Sequence, residues 1–265
     1  MDRIILFQYH KKPIVCRDRL LQLKYFNPGI KIYGIYGGEE SNFLKYKKYL
    51  DPFFEHNYCL KGRSNYWKWK NNDLCARLWY KDVGRKLEFD MLHVIEWDLL
   101  LFGPLNDIYR KIEKNSIGLT ALTPLKNVED KWDWTAEEPY KNEWVKLLKY
   151  AKDKFAYNKQ PHASLGPGPC IPKSFLEKYN NAHVPDQVIN ELRLPLFGQI
   201  FGYKLTDTGF YPEWFGPDEK FFNCDGSEIP LSLIKREYKR NERKSFHPFR
   251  KRLNKQTLLN IINHK

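Results

Sequence analysis

Cysteine spacing of the metal-binding kind is missing from this chain. Its five cysteines, Cys16, Cys59, Cys75, Cys170 and Cys224, include no C-x-x-C pair and are odd in number. A structural zinc or a disulfide framework is therefore disfavoured, and a reducing compartment is expected. Long hydrophobic runs are also missing: Met1-Asp2-Arg3 leads into Ile4-Ile5-Leu6-Phe7, too short for a secretory leader, and no stretch has transmembrane length. A soluble, cytoplasmic protein is the expectation. With no repeat, low-complexity tract or linker to divide it, one domain with a basic tail is the economical reading. Acid is the scarcer charge, 32 Asp and Glu against 45 Lys and Arg, a formal net charge of +13. That excess points to an anionic partner: nucleic acid, a phosphorylated metabolite or an acidic membrane surface. A basic surface that only aids solubility is the plain alternative. What is present is a globular composition, 42% hydrophobic and 16% aromatic in 265 residues, which suffices for a substantial core and argues against disorder.

The most informative stretch is Met91-Leu92-His93-Val94-Ile95-Glu96-Trp97-Asp98-Leu99-Leu100-Leu101-Phe102-Gly103-Pro104. A run of β-formers climbs to a Glu-x-Asp pair and stops at Gly-Pro, which reads as a buried strand delivering two carboxylates at its end. In extended backbone Glu96 and Asp98 share a face, with Trp97 on the other. Two acids in an apolar setting repel unless a positive charge sits between them, and a divalent cation is the simplest one. Acids at strand ends are also ordinary solvated residues, so the pair alone does not decide.

Around this stretch the pattern alternates. Strands are predicted at 3–9, 30–36 and 56–60, with helices at 14–26 and 39–50 between them. A basic, aromatic loop covers 61–70, Asn71-Asn72-Asp73 offers helix caps, and a helix over 74–86 leads to the acidic strand. Beyond it come a helix at 106–114, a strand at 117–122, a Trp-bearing surface loop at 127–139 and a helix at 143–155. A turn-rich connection follows at 161–172, then helices at 173–180 and 187–194 and a short strand at 203–206. The segment 235–255 is strongly basic. Strand–helix–strand order predicts an α/β fold with a mostly parallel central sheet flanked by helices.

With Glu96-Trp97-Asp98 at the end of a central strand, this order resembles the GT-A fold of nucleotide-sugar-dependent glycosyltransferases, whose D-x-D motif stands at that place. The resemblance rests on residues 3–9, 30–38 and chiefly 93–104. It implies a Rossmann-like nucleotide-binding half over about 1–125, an acceptor half over about 126–234 and a basic C-terminal segment over 235–265. The first acid departs from the family pattern, being Glu. The resemblance makes Asp98 the more direct metal ligand, with Glu96 on the metal or the donor's ribose, and maps a further ligand to His247 in Phe246-His247-Pro248. An imidazole, two carboxylates and diphosphate oxygens suit Mn²⁺ (or Mg²⁺), while the neighbouring Arg250 and Lys251 would neutralise the diphosphate.

The implied reaction moves a sugar from a nucleoside diphosphate sugar to an acceptor hydroxyl, on a glycan or another acceptor. An inverting enzyme needs a carboxylate base. Glu191, in an apolar context, and Asp186, which also reads as a helix cap, are the candidates; an ion pair with Arg193 is the structural alternative for Glu191. Ligands in such folds sit at the carboxyl ends of parallel strands, which selects Gln8, Tyr9, His10, Gly37 and Gly38 for the nucleotide. Lys70, Asp73 and Arg77 could reach donor sugar or phosphate, and Gly166-Pro167-Gly168-Pro169-Cys170 could border the sugar. The basic tail could hold the protein near a charged acceptor or membrane surface. The rival from another class is a nucleic-acid-binding protein or metal-dependent nuclease, with Tyr66-Trp67-Lys68-Trp69-Lys70 stacking bases and binding phosphates. Against a nuclease, Leu99-Leu100-Leu101-Phe102 stands where a lysine is usual. A catalytically silent binding module on the same fold is the third reading.

Overall fold

In the computed structural model, which describes residues 1–211, 213–240 and 243–263, the predicted strand–helix alternation builds the first half of the chain. β1 (Arg3–Tyr9) leads through α1 (Pro13–Phe26) to β2 (Lys31–Tyr36), and α2 (Phe43–Leu50) leads to β3 (His56–Cys59). Segment 61–70 was expected as a loop, but Asn65–Lys70 is a helix, α3. Ser64 caps it by accepting a hydrogen bond from the Trp67 amide at 3.1 Å. Helix α4 (Asn72–Asp82) and a 3₁₀ turn at Gly84–Lys86 precede β4 (Met91–Glu96), the middle strand of the sheet. After β5 (Leu100–Leu101) the helix expected at 106–114 is only the single turn α5 (Leu105–Ile108).

β6 (Ser116–Pro124), α6 (Asp133–Ala136) and α7 (Tyr140–Phe155) follow, and then β7 (His162–Pro172). This strand corrects the turn-rich reading of 161–172. β7 lies antiparallel between β4 and β6, and its Gly and Pro residues are absorbed by register shifts along the pairing with β6. At Gly168 φ is +78° and a Cβ would stand 2.8 Å from the Phe210 ring, so glycine is required there. Next come α8 (Lys173–Asn181), α9 (Asn190–Ile200) and β8 (Lys204–Asp207). The sheet order is β3-β2-β1-β4-β7-β6-β8, with β7 antiparallel to both neighbours and every other pairing parallel. The mixed α/β fold with a mostly parallel sheet is thus as expected.

Along β1 the side chains alternate between two apolar layers. Ile4 and Leu6 join Trp79 of α4, Phe175 of α8 and Phe197 of α9. Ile5, Phe7 and Tyr9 join Val15, Leu20 and Leu23 of α1 and Leu50 of α2. Period-two alternation on a sheet covered on both faces explains why β1 and β4 read as continuous apolar runs.

The basic C-terminal segment is not a tail. α10 (Leu231–Lys239), β9 (Ser245–Phe246) and α11 (Lys255–Asn263) fold back, and β9 pairs with β5. Leu100 and Phe102 pack there with Ile234, Tyr238, Phe246 and Leu258. Its charges are partly spent inside the protein: Arg252 binds Asp18 at 3.0 Å and Arg243 binds Asp218. Among the described residues no helix is long and apolar enough to cross a membrane.

Asp73 and Arg193 form a buried pair between α4 and α9, 2.8 Å from Nε to Oδ2, with the Tyr179 hydroxyl donating to the same carboxylate. Arg193 also donates to Asn71 Oδ1 at 2.7 Å. Asp73 is therefore occupied and buried rather than open to a donor, and Arg193 does not pair with Glu191. Leaving the guanidinium unpaired is costly, so Asp73→Ala should lower stability by about 3–5 kcal/mol in urea unfolding; an unchanged midpoint would return Asp73 to the ligand candidates.

Candidate functional site

From β1 the chain builds β2 and β3 on one side, while β4 lies on β1's other side. The carboxyl ends of β1 and β4 therefore flank the crevice where open α/β sheets bind ligands. Gln8 near the end of β1 stands in register with Glu96 at the end of β4. The strand stops there: the Leu99 amide donates to the Glu96 carbonyl at 3.0 Å, so Trp97 and Asp98 lie in a turn rather than in the extended backbone expected. This turn still leaves the two carboxylates beside one another.

The C-terminal segment supplies the third group. Phe102 donates to the Lys244 carbonyl and Phe249 to the Asp98 carbonyl, both at 2.8 Å, which brings His247 over the turn. His247 Nε2 lies 3.7 Å from Glu96 Oε2 and 3.7 Å from Asp98 Oδ1, and the three ligand atoms lie within 4.8 Å of one another. The imidazole Nδ1 is 2.6 Å from the Asn223 carbonyl. A carbonyl only accepts, so Nδ1 carries the hydrogen and the neutral ring turns its Nε2 lone pair toward the acids. Burial lowers the pKa of His247 and favours this neutral form.

The other oxygen of each acid is tied down. Asn72 Nδ2 donates to Glu96 Oε1 at 2.7 Å, and Gln8 Nε2 donates to the Asn72 carbonyl at 3.3 Å. Arg250 Nε donates to Asp98 Oδ2 at 3.0 Å and its Nη1 to the Gly226 carbonyl at 3.0 Å. Two carboxylate oxygens and the lone pair of one imidazole nitrogen thus converge. A mixed oxygen and nitrogen donor set of this kind fits a divalent cation such as Mn²⁺. Burial, reinforced by Asp98 and Glu191, pushes the Glu96 carboxyl up to about 8, while Arg250 opposes the shift.

Glu191 lies in the first turn of α9, not at a cap, and accepts a hydrogen bond from the Gly166 amide at 2.6 Å. Burial pushes its carboxyl up to about 7. Because α9 starts at Asn190 with Ile189 before it, Asp186 is not the expected helix cap; it is exposed and accepts from Trp67 Nε1 at 2.8 Å.

The remaining nucleotide candidates divide. The Tyr9 side chain is in the core, its hydroxyl on Asn57 Oδ1 at 2.9 Å. His10 is exposed and meets the Trp97 ring edge-on at 5.5 Å. The Gly37 amide donates to the Tyr9 carbonyl at 2.8 Å. Gly38 must be glycine, since a Cβ would sit 2.6 Å from the His10 carbonyl. Gly38 also borders a cleft of about 250 Å³ lined by Glu39, Ser41, Arg63 and Asn65. Lys70 is buried against Glu143 at 2.6 Å, and Arg77 binds the carbonyls of Asn180 and Ala182 at the end of α8. Neither is brought to the acid pair. Lys251 is exposed.

Sequence reasoning missed Asn72, whose signal was taken for a helix cap, and Asn223, which had none. It also missed Lys11 and Lys12, whose ammonium groups stand 5.5 and 5.9 Å from the Trp97 ring. Lys12 reaches the Arg250 carbonyl at 3.2 Å.

No protein-family model matches the chain, and no curated protein matches it in sequence. Its shape is similar to the WbbM bifunctional glycosyltransferase at 11% identity and a TM-score of 0.47, over 99% of this chain and 49% of that one. It is also similar to the galactosyltransferase LgtC, solved with donor and acceptor sugar analogs, at 10% identity and 0.43, over 82% and 74% of the two chains. A cytidylyltransferase from Leptospira borgpetersenii gives 10% and 0.42, over 80% and 76%. The chain spans about half the length of WbbM. At these scores the likenesses are loose, and the donor geometry carries the reading of the site.

The shift at Glu96 sets a pH dependence. The folded state keeps a proton that the unfolded chain releases near 4.5, so this group's contribution to stability falls as pH rises from about 4.5 to about 8. Relative to the parent, Glu96→Gln should gain stability across that window in metal-free urea titrations; a flat difference would mean that Glu96 ionises normally.

Proposed function

We propose that this chain is a metal-dependent glycosyltransferase that moves a sugar from a nucleoside diphosphate sugar to an acceptor hydroxyl, with the donor in the first half, to about residue 125. The observation that carries the reading is the convergence of Glu96, Asp98 and His247, their ligand atoms within 4.8 Å of one another, at the crevice beside β1 and β4. These three side chains would hold Mn²⁺ or Mg²⁺, which supplies Lewis-acid stabilisation of charge on the departing diphosphate. Arg250 keeps Asp98 oriented and, with Lys12 at its carbonyl, adds positive charge beside the same place. The cleft beside Gly38 has room for part of a nucleoside.

Glu191 is the base of this mechanism. Its Oε1 is anchored by the Gly166 amide, and a carboxyl pushed up to about 7 is a better proton acceptor than an ordinary glutamate while remaining partly ionised near neutral pH. It would take the acceptor hydroxyl's proton as the oxygen attacks the anomeric carbon, giving inversion. Asp186, exposed and bound to Trp67, is the weaker candidate. The nucleic-acid reading loses support because Lys68 and Lys70 are buried and bound to Gly38 and Glu143, leaving them unavailable to phosphates.

Melting the chain with each nucleoside diphosphate, with and without Mn²⁺, tests the proposal. One diphosphate should stabilise the protein only with Mn²⁺, and Asp98→Ala should abolish the effect. Stabilisation by single-stranded DNA or RNA, with no response to any diphosphate and Mn²⁺, would overturn the transferase reading. A panel of sugar nucleotides assayed for donor hydrolysis identifies the sugar. With that donor, Glu191→Gln should lower kcat for transfer by about 10²–10⁴-fold; a kcat within a few-fold of the parent would remove Glu191 from the mechanism.

A further inference from the structure

Helix α3 sorts its side chains in an unexpected way. Its two lysines point inward: Lys68 Nζ donates to the Gly38 carbonyl at 3.0 Å and Lys70 pairs with Glu143 at 2.6 Å. Its large rings Tyr66 and Trp69 face solvent, 55% and 57% exposed. Trp69 continues into Trp134 at 6.0 Å between centroids, and Trp134 into Tyr140 at 4.3 Å; Tyr66, 5.8 Å from Trp69, shares a hydrogen bond with Tyr140, so the four rings form one cluster. Exposing a tryptophan and a tyrosine side by side forgoes burial that a free surface would favour, which marks a ligand surface.

The charge around the array selects the ligand. A surface for single-stranded nucleic acid combines stacking rings with free cations for phosphates. Here both lysines of the helix are buried, Lys68 on a backbone carbonyl and Lys70 on Glu143, and the loop beside Trp134 and Tyr140 adds the exposed acids Glu137 and Glu138. Aromatic faces beside exposed carboxylates, with no exposed cation on the helix, match the C–H faces and hydroxyls of neutral sugar rings. The array also adjoins the acid cluster along the chain. Asn72, two residues past Lys70, binds Glu96, while Trp67 holds Asp186, five residues before Glu191.

We infer that Tyr66, Trp69, Trp134 and Tyr140 form the platform on which the acceptor glycan, a neutral oligosaccharide, is held by stacking, an inference that rests on the transferase reading above. The test titrates the full chain with cellohexaose, maltohexaose, chitohexaose and xylohexaose, and separately with oligothymidylate, by tryptophan fluorescence and calorimetry. At least one hexasaccharide should bind, Trp69→Ala and Tyr66→Ala should each weaken it about tenfold, and Trp69→Phe should retain most of the affinity. Melting temperatures of the variants check that each is folded. Binding of none of the hexasaccharides, binding indifferent to both alanine variants, or Trp69-dependent binding of oligothymidylate instead would overturn the platform. The diphosphate and Mn²⁺ melting of the parent chain reports on the transferase reading independently. If that fails while Trp69-dependent saccharide binding stands, the platform survives as a sugar-binding surface and the transferase does not.

Discussion

Two carboxylates at the end of a buried strand repel one another, and the surrounding structure is arranged to keep them together. The arrangement begins beneath the turn. Arg19 on α1 is fully buried and, among the described residues, makes no hydrogen bond to a carboxylate; it donates to the carbonyls of Phe249 at 3.0 Å and Trp97 at 3.3 Å. Its charge and that of Asp98 attract each other across the turn. Gln22, one turn further along α1, donates to the Leu101 carbonyl at 3.0 Å. One helix thereby holds the backbone on both sides of Asp98 and anchors it to the returning C-terminal segment.

That return makes the site three-sided. β5 and β9 are two residues each, and so short a pairing needs side-chain packing to persist. Leu100, Phe102 and Phe246 supply it with residues of α10 and α11. His247 arrives in a fixed tautomer because its other nitrogen is spent on the Asn223 carbonyl. Basic residues that look like a tail are here structural: Arg250 and Arg252 each close onto an aspartate contributed by the first half of the chain.

Much of this was legible in sequence, for identifiable reasons. β1, α1, β2 and β4 are long or strongly apolar, so their periodicity outweighs local ambiguity. Glu96 and Asp98 stood out because two acids close an apolar run, while His247 was set beside them by the family resemblance and not by any local pattern. Glu191 stood out for its apolar neighbours. Failures cluster where tertiary contacts override local preference. Gly166-Pro167-Gly168-Pro169 looks like a turn, yet a place between β4 and β6 makes it strand. Asp73 looks available, but Arg193, 120 residues away, claims it. Lys68 and Lys70 look like phosphate ligands only while the direction of their side chains is unknown.

The amino-acid order alone determined the α/β alternation, the excess of positive charge and the acids that end the middle strand, because periodicity and residue type are local properties. Only the tertiary structure decided that His247 meets those acids, that Asn72 and Arg250 each hold one of their oxygens, and that α3 turns its lysines inward and its rings outward. These are contacts between segments as many as 152 residues apart, or the facing of one helix against its neighbours, and no short stretch of sequence encodes the partner that a side chain meets across a folded core.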